Sequence, residues 1–205
     1  MTRLLILSFF FLLTSSLHGQ SVETKVRNKI QTLAKENVDT FFTYSYKCNS
    51  ELIPFDSCRS EEPQYLFWQQ NGHSFFQKFD YCNNYKAQKL DTSNPLTFYL
   101  KNKSLIDKEA IKQPTYFEIK KGKHGTDTIV NTITVSHSCF HEFIVNIKGS
   151  VKHKTVNTYY LNYTRFDNGK LNVYRKHNQR TKLSALSMMT SDLIRSLENI
   201  KLEND

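Results

Sequence analysis

The segment His137-Ser138-Cys139-Phe140-His141-Glu142 holds the densest set of reactive side chains in the sequence. Residues two apart on a strand share a face. His137, Cys139 and His141 would then lie along one side, with neighbouring Cα atoms about 6 to 7 Å apart. Imidazole and thiolate are ligands for zinc. Glu142 would point to the other face. The same face continues as Phe143, Val145 and Ile147, which is a core pattern. Cys139 is also a candidate for a disulfide, whose sulfur is no thiolate ligand. The expectation is therefore no metal and no catalytic centre, with His137 and His141 kept as the candidates for a hydrolase or metal-dependent enzyme.

Other chemistry is thinner. Asp80, Glu118 and Glu142 could supply paired carboxylates for glycoside hydrolysis, but their spacing selects no pair. The sequence has no phosphate-binding glycine loop, Gly-x-Ser-x-Gly, HExxH or calcium loop, so no cofactor is expected. Asn102-Lys103-Ser104 and Asn162-Tyr163-Thr164 match the glycosylation sequon. Trp68, Phe75, Phe76, Tyr159, Tyr160, Tyr163 and Tyr174 could form a stacking platform for sugars or single strands, although strand aromatics more often pack in cores.

The elements that must position these residues are legible in part. Val22, Val26, Ile30, Leu33 and Val38 recur at helical spacing behind Ser21, an N-cap residue, and predict a helix over 22–38, extendable to Tyr44. A loop is expected over 47–63. Aromatic runs at 65–70 and 73–81 flank Asn71-Gly72, a hairpin turn. A short strand is expected at 96–100 and a second hairpin over 115–121 and 126–136. Strands follow at 139–147, 152–166 and 170–176. Leu183, Leu186, Met189, Leu193, Leu197 and Ile200 make an apolar helical stripe, with Ser184, Ser187, Ser191 and Glu198 off it. The expected fold is α+β. It has an N-terminal helix, an antiparallel meander sheet of about six to eight strands, and a C-terminal amphipathic helix packed on the sheet.

The N-terminus reads as an export signal. Arg3 precedes the apolar run Leu4 to Leu13, and a small, polar stretch from Thr14 to Gly19 follows. That run is too short for a membrane anchor, which needs roughly 20 residues. The expected organisation is a signal peptide over 1–19 and one domain over 20–205, secreted or periplasmic. Four cysteines in an exported chain suggest two disulfides, and three pairings are possible. Cys48–Cys58 and Cys82–Cys139 are the expected pairs.

Charge narrows the partner. The chain is +9, and 148–182 holds nine Lys/Arg against Asp167 alone, an excess nearly equal to the whole. Such a segment would attract an anionic glycan, a lipid surface or another exported protein. Lys152, Lys154, Arg175, Lys176 and Arg180 are the expected contacts, with nucleic acid not the expected partner.

Gly19-Gln20-Ser21 at the end of the signal, Tyr65-Leu66-Phe67-Trp68 before Asn71-Gly72, and Phe76-Gln77-Lys78-Phe79-Asp80 together resemble small exported proteins of Bacteroidota. The resemblance spans residues 1–21 and 65–82 and implies a periplasmic or released bacterial protein. It brings no activity and no functional residues. The sequence as a whole thus points to a non-enzymatic exported binding protein, with an exported enzyme or a structural envelope protein as the alternatives.

Overall fold

A computed structural model describes residues 20–49, 61–90, 94–122 and 125–202. The expected signal peptide lies outside these residues, as does Cys58. Along the chain run α1 (Val22–Lys35), β1 (Thr40–Cys48), β2 (Gln64–Gln70), β3 (His73–Phe79), β4 (Gln88–Leu90) and α2 (Pro95–Ile106). The hairpin β5 (Thr115–Gly122) and β6 (Gly125–Thr132) follows, then β7 (Cys139–Ile147) and β8 (Ser150–Asn157). The chain then forms α3 (Thr158–Asn162), α4 (Arg175–Arg180) and α5 (Lys182–Leu202).

The fold is α+β. Six antiparallel strands are ordered β4-β3-β2-β1-β7-β8, and β5-β6 forms a separate two-stranded sheet. The meander is thus interrupted once, because β7 returns to pair with β1. Asn71 and Gly72 both take positive φ, as a two-residue hairpin turn requires. One sheet face carries Phe42, Phe67, Phe76, Phe143 and Val145, buried under Leu96, Tyr99 and Ile106 of α2 and Leu183, Leu186 and Ile194 of α5. On the other face Val22, Val26 and Leu33 of α1 cover Leu66, Trp68 and Phe79. Ser21 Oγ caps α1 by accepting from Thr24 N–H at 3.2 Å.

Several elements differ from expectation. Residues 40–48 form the central strand rather than a helical extension and the start of a loop. Residues 95–106 are helical where a strand at 96–100 was expected: Asn94 Oδ1 accepts from Leu96 N–H at 2.9 Å, and Pro95 opens the first turn. The strand expected over 152–166 stops at Asn157, whose side chain caps α3 by accepting from Tyr160 N–H at 3.1 Å. At 170–176 the chain makes one bridge, Arg165 to Leu171, before α4 begins. Asn178 anchors this region. It is wholly buried, accepts from Lys112 N–H at 2.9 Å, and donates to the carbonyls of Lys112 and Tyr160.

Both expected cysteine pairings are overturned by one bond, Cys48–Cys139. The register of β1 against β7 sets these residues directly opposite each other, with Cα atoms 3.9 Å apart. Cys82 is also disulfide-bonded. No helix among the described residues is long and apolar enough to cross a membrane.

Non-reducing peptide mapping should recover a Cys48–Cys139 linked peptide. Replacing both residues with Ser should cost about 2–5 kcal/mol, because the bond closes a long loop in the unfolded chain. Urea unfolding followed by fluorescence of Trp68, the only tryptophan, reads that change. An unchanged midpoint would show that the strand register alone carries this stability.

Candidate functional site

A cleft of about 940 Å³ opens between the sheet and α5. Its sheet wall comes from Tyr44 and Tyr46 of β1, Tyr65 of β2 and His141 of β7. Strand pairing sets these rings side by side, since Tyr44 lies opposite Tyr65 and Tyr46 opposite His141. The ring centroids of His141 are 5.8 Å from Tyr44 and 5.0 Å from Tyr46. The helical wall comes from Ser184, Ser187 and Ser191, at spacings of three and four on α5. Thr158 and Asn162 of α3 close one side. Small side chains along α5 leave the space open.

A hydrogen-bonded triangle joins the walls. Tyr44 Oη lies 2.8 Å from His141 Nδ1 and 3.2 Å from Ser191 Oγ, which is 3.5 Å from Nδ1. Burial pushes the His141 pKa down to about 4, so the imidazole is neutral at pH 7. Burial also raises the Tyr44 phenol. His141 Nε2 has no hydrogen-bond partner among the described residues. Ser187 is 1% exposed, and its Oγ has no partner either. A buried hydroxyl left unpaired costs roughly 1–3 kcal/mol; Trp68 Nε1, Asn94 Nδ2 and Asn131 Nδ2 are unpaired in the same way away from the cleft.

Charges around the cleft are paired. Glu198 accepts from Tyr65 Oη and Lys78 Nζ, each at 2.6 Å, and Asp192 pairs with Arg195 at 3.4 Å. The Tyr65 phenol is raised well above its ordinary range, by burial first and then by the Glu198 carboxylate. A general base needs a pKa near the working pH. The one carboxylate next to His141 in sequence, Glu142, lies on the opposite sheet face and pairs with Lys47 at 2.7 Å. The set therefore suits hydrogen bonding and ring stacking better than proton abstraction.

Other candidates are dispersed. His137 is exposed and lines a second cleft of about 630 Å³, while His141 lines the first. Between them Cys139 is committed to its disulfide, so the three do not form a ligand set. Asp80 holds a turn with Asn83 and Tyr85, Glu118 pairs with Lys170 at 2.5 Å, and Glu142 sits with Lys47. Trp68 and Phe75 stack at 5.5 Å on the α1 face, whereas Phe76 is in the core under α2 and α5. Of the seven aromatics read as a platform, Tyr159 and Tyr163 do come together, 4.9 Å apart in the second cleft.

The basic segment is partly used within the fold. Lys154 Nζ donates to the carbonyls of Asp107 at 2.6 Å and Glu109 at 3.2 Å. Lys152 is exposed on edge strand β8, where lysine discourages pairing with another sheet. Arg175, Lys176 and Arg180 are exposed on α4. Tyr44, Tyr65, Ser187 and Ser191 were not among the site candidates read from the sequence. For the serines the available signal was the spacing of three and four on a helix.

Protonating His141 should destabilise the fold. Its folded pKa lies below the unfolded value of about 6.5, so its contribution is complete above pH 6.5 and is lost as pH falls toward 4. The loss should be at most about 3 kcal/mol, reduced by the partly open side of the ring. Urea midpoints at pH 7, 5.5 and 4.5 should fall less in His141→Gln than in the parent; equal slopes would remove His141 as the cause. In comparisons with known proteins the chain matches no family model, no curated protein and no solved structure, so the geometry of the cleft carries the functional argument.

Proposed function

We propose that this protein is a non-enzymatic exported binding protein that takes a neutral, hydroxyl-rich ligand of the carbohydrate class in the cleft between the sheet and α5. The observation that carries this reading is the cleft lining, in which the rings of Tyr44, Tyr46, Tyr65 and His141 stand with Ser184, Ser187 and Ser191 of α5, Ser187 Oγ being unpaired. Its surroundings support a sugar. Tyr44, Tyr46 and Tyr65 offer ring faces and hydroxyls, His141 offers an unpaired nitrogen, and Asn162 and Gln179 add amides. The paired charges at the rim favour a neutral ligand over an ion. Secretion or a periplasmic location fits the Cys48–Cys139 disulfide, which persists in oxidising compartments.

A second reading rests on α4. Arg175, Lys176 and Arg180 are exposed there, and Lys112 Nζ lies 4.6 Å from the Tyr174 ring centroid beside them. These cations would draw the protein to an anionic polymer in a salt-dependent way. Elution from heparin should move to lower salt in the variant with all three α4 residues changed to Ala. An unchanged elution position would end that reading.

For the cleft, an array carrying α-1,4-linked glucose and β-1,4-linked N-acetylglucosamine oligomers is the test. The protein should be retained on at least one series. Ser187→Ala should bind about tenfold more weakly, a change of ~1.4 kcal/mol. The same variant should be about 1 kcal/mol more stable without ligand, because an unsatisfied hydroxyl is gone. Retention on neither series, or full affinity in Ser187→Ala, would refute the assignment.

A further inference from the structure

The two clefts share the wall formed by Thr158 and Asn162. These residues are four apart on α3, so they lie on one helix face, about 6 Å along the axis. The two clefts therefore adjoin at a single helical turn. Tyr159 and Tyr163 stand there 4.9 Å apart, and Phe166 holds the Tyr163 ring edge-on at 5.1 Å. Arg165 donates to the Gly169 carbonyl through Nη1, and a guanidinium has five N–H donors, so others remain for a ligand. His137 is exposed on the same lining, beside the Cys48–Cys139 bond.

We infer that the two clefts form one continuous groove and that the ligand is a linear oligosaccharide, with a second subsite built from Tyr159, Tyr163 and Arg165. This rests on the carbohydrate reading of the first cleft. Stacking aromatics, a multiple donor and an exposed imidazole suit a second sugar ring and its hydroxyls. The wall between the clefts carries hydroxyl and amide groups, at Thr158 and Asn162, rather than bulky apolar ones. Thr158 Oγ1 is fixed by donating to the Cys139 carbonyl at 2.9 Å, whereas Asn162 is exposed at the end of α3. A chain crossing α3 would pass over both. A single ring would occupy part of one cleft and leave the other open.

Calorimetric titration with the glucose and N-acetylglucosamine oligomers, from one to six units, tests this. Affinity in the retained series should rise at least tenfold between short and long oligomers and then level off. Tyr163→Ala and Arg165→Ala should each remove that gain while leaving mono- and disaccharide affinity unchanged. Equal affinity for short and long oligomers would overturn the continuous groove and leave the first cleft standing. Equal weakening of short oligomers by Tyr163→Ala and Arg165→Ala would also overturn it, because the second subsite would not be separate. Binding to no oligomer of any length would sink the carbohydrate reading itself.

Discussion

The register of β1 against β7 sets almost every other feature of the site. β1 is flanked on both edges, by β2 and by β7, and its residues Phe42 to Ser45 are all buried. Side chains alternate across a strand, so a slip of one residue would exchange the two faces and send Tyr44 away from the cleft. Packing and crosslinking oppose that slip. Phe42 stacks on Phe143 at 5.5 Å and meets Phe67 at 5.3 Å, which fills the middle of the face. At one end Cys48 is bonded to Cys139, and at the other Lys148 N–H donates to the Asp39 carbonyl at 3.0 Å. Between those ends Tyr44, Tyr46 and His141 have little freedom.

The C-terminal helix then supplies the opposite wall, and it does so with three faces rather than two. Leu183, Leu186 and Ile194 pack into the core. Lys182, Met188, Asp192 and Arg195 are exposed. Ser184, Ser187 and Thr190 are polar yet buried. Thr190 satisfies itself by donating to the Leu186 carbonyl at 2.7 Å, a local bond open to any hydroxyl on a helix. Ser187 could make the same bond four residues back and does not. Its hydroxyl is buried and unpaired, on a residue that lines the cleft.

This explains which parts were legible from sequence. The Asn71-Gly72 hairpin, the β5–β6 hairpin and the two terminal helices follow local rules, and each was found. β1 was not, because it starts soon after α1 and is buried on both faces, so Phe-Phe-Thr-Tyr-Ser shows no alternation to read. The cysteine pairing depends on a contact across 91 residues, which no local spacing encodes. α2 did carry a signal, Asn94 before Pro95, but its aromatic Phe-Tyr pair reads equally as strand. His141 stood out as a residue type. Its role did not, since neutrality comes from burial. Ser187 was placed off the apolar stripe, and a serine off the stripe can face a second, interior surface, as this one does.

The exposed positive charge and the cleft are separated in this molecule. The net charge is +9, yet the acids and the arginine at the cleft are paired, and Lys154 is spent on backbone carbonyls inside the fold. The exposed excess sits elsewhere, on an edge strand and a short helix. A field of that kind raises encounter rates and solubility but distinguishes poorly between partners. Selectivity instead needs fixed donors, acceptors and ring faces that bear little net charge. Tyr44, Tyr65, His141 and Ser187 meet that description. Burial keeps the phenols protonated and the imidazole neutral, so the hydrogen-bonding pattern they present is the same throughout the range between their pKa values. A site whose pattern does not change with pH is suited to a ligand that does not ionise, and a sugar is such a ligand.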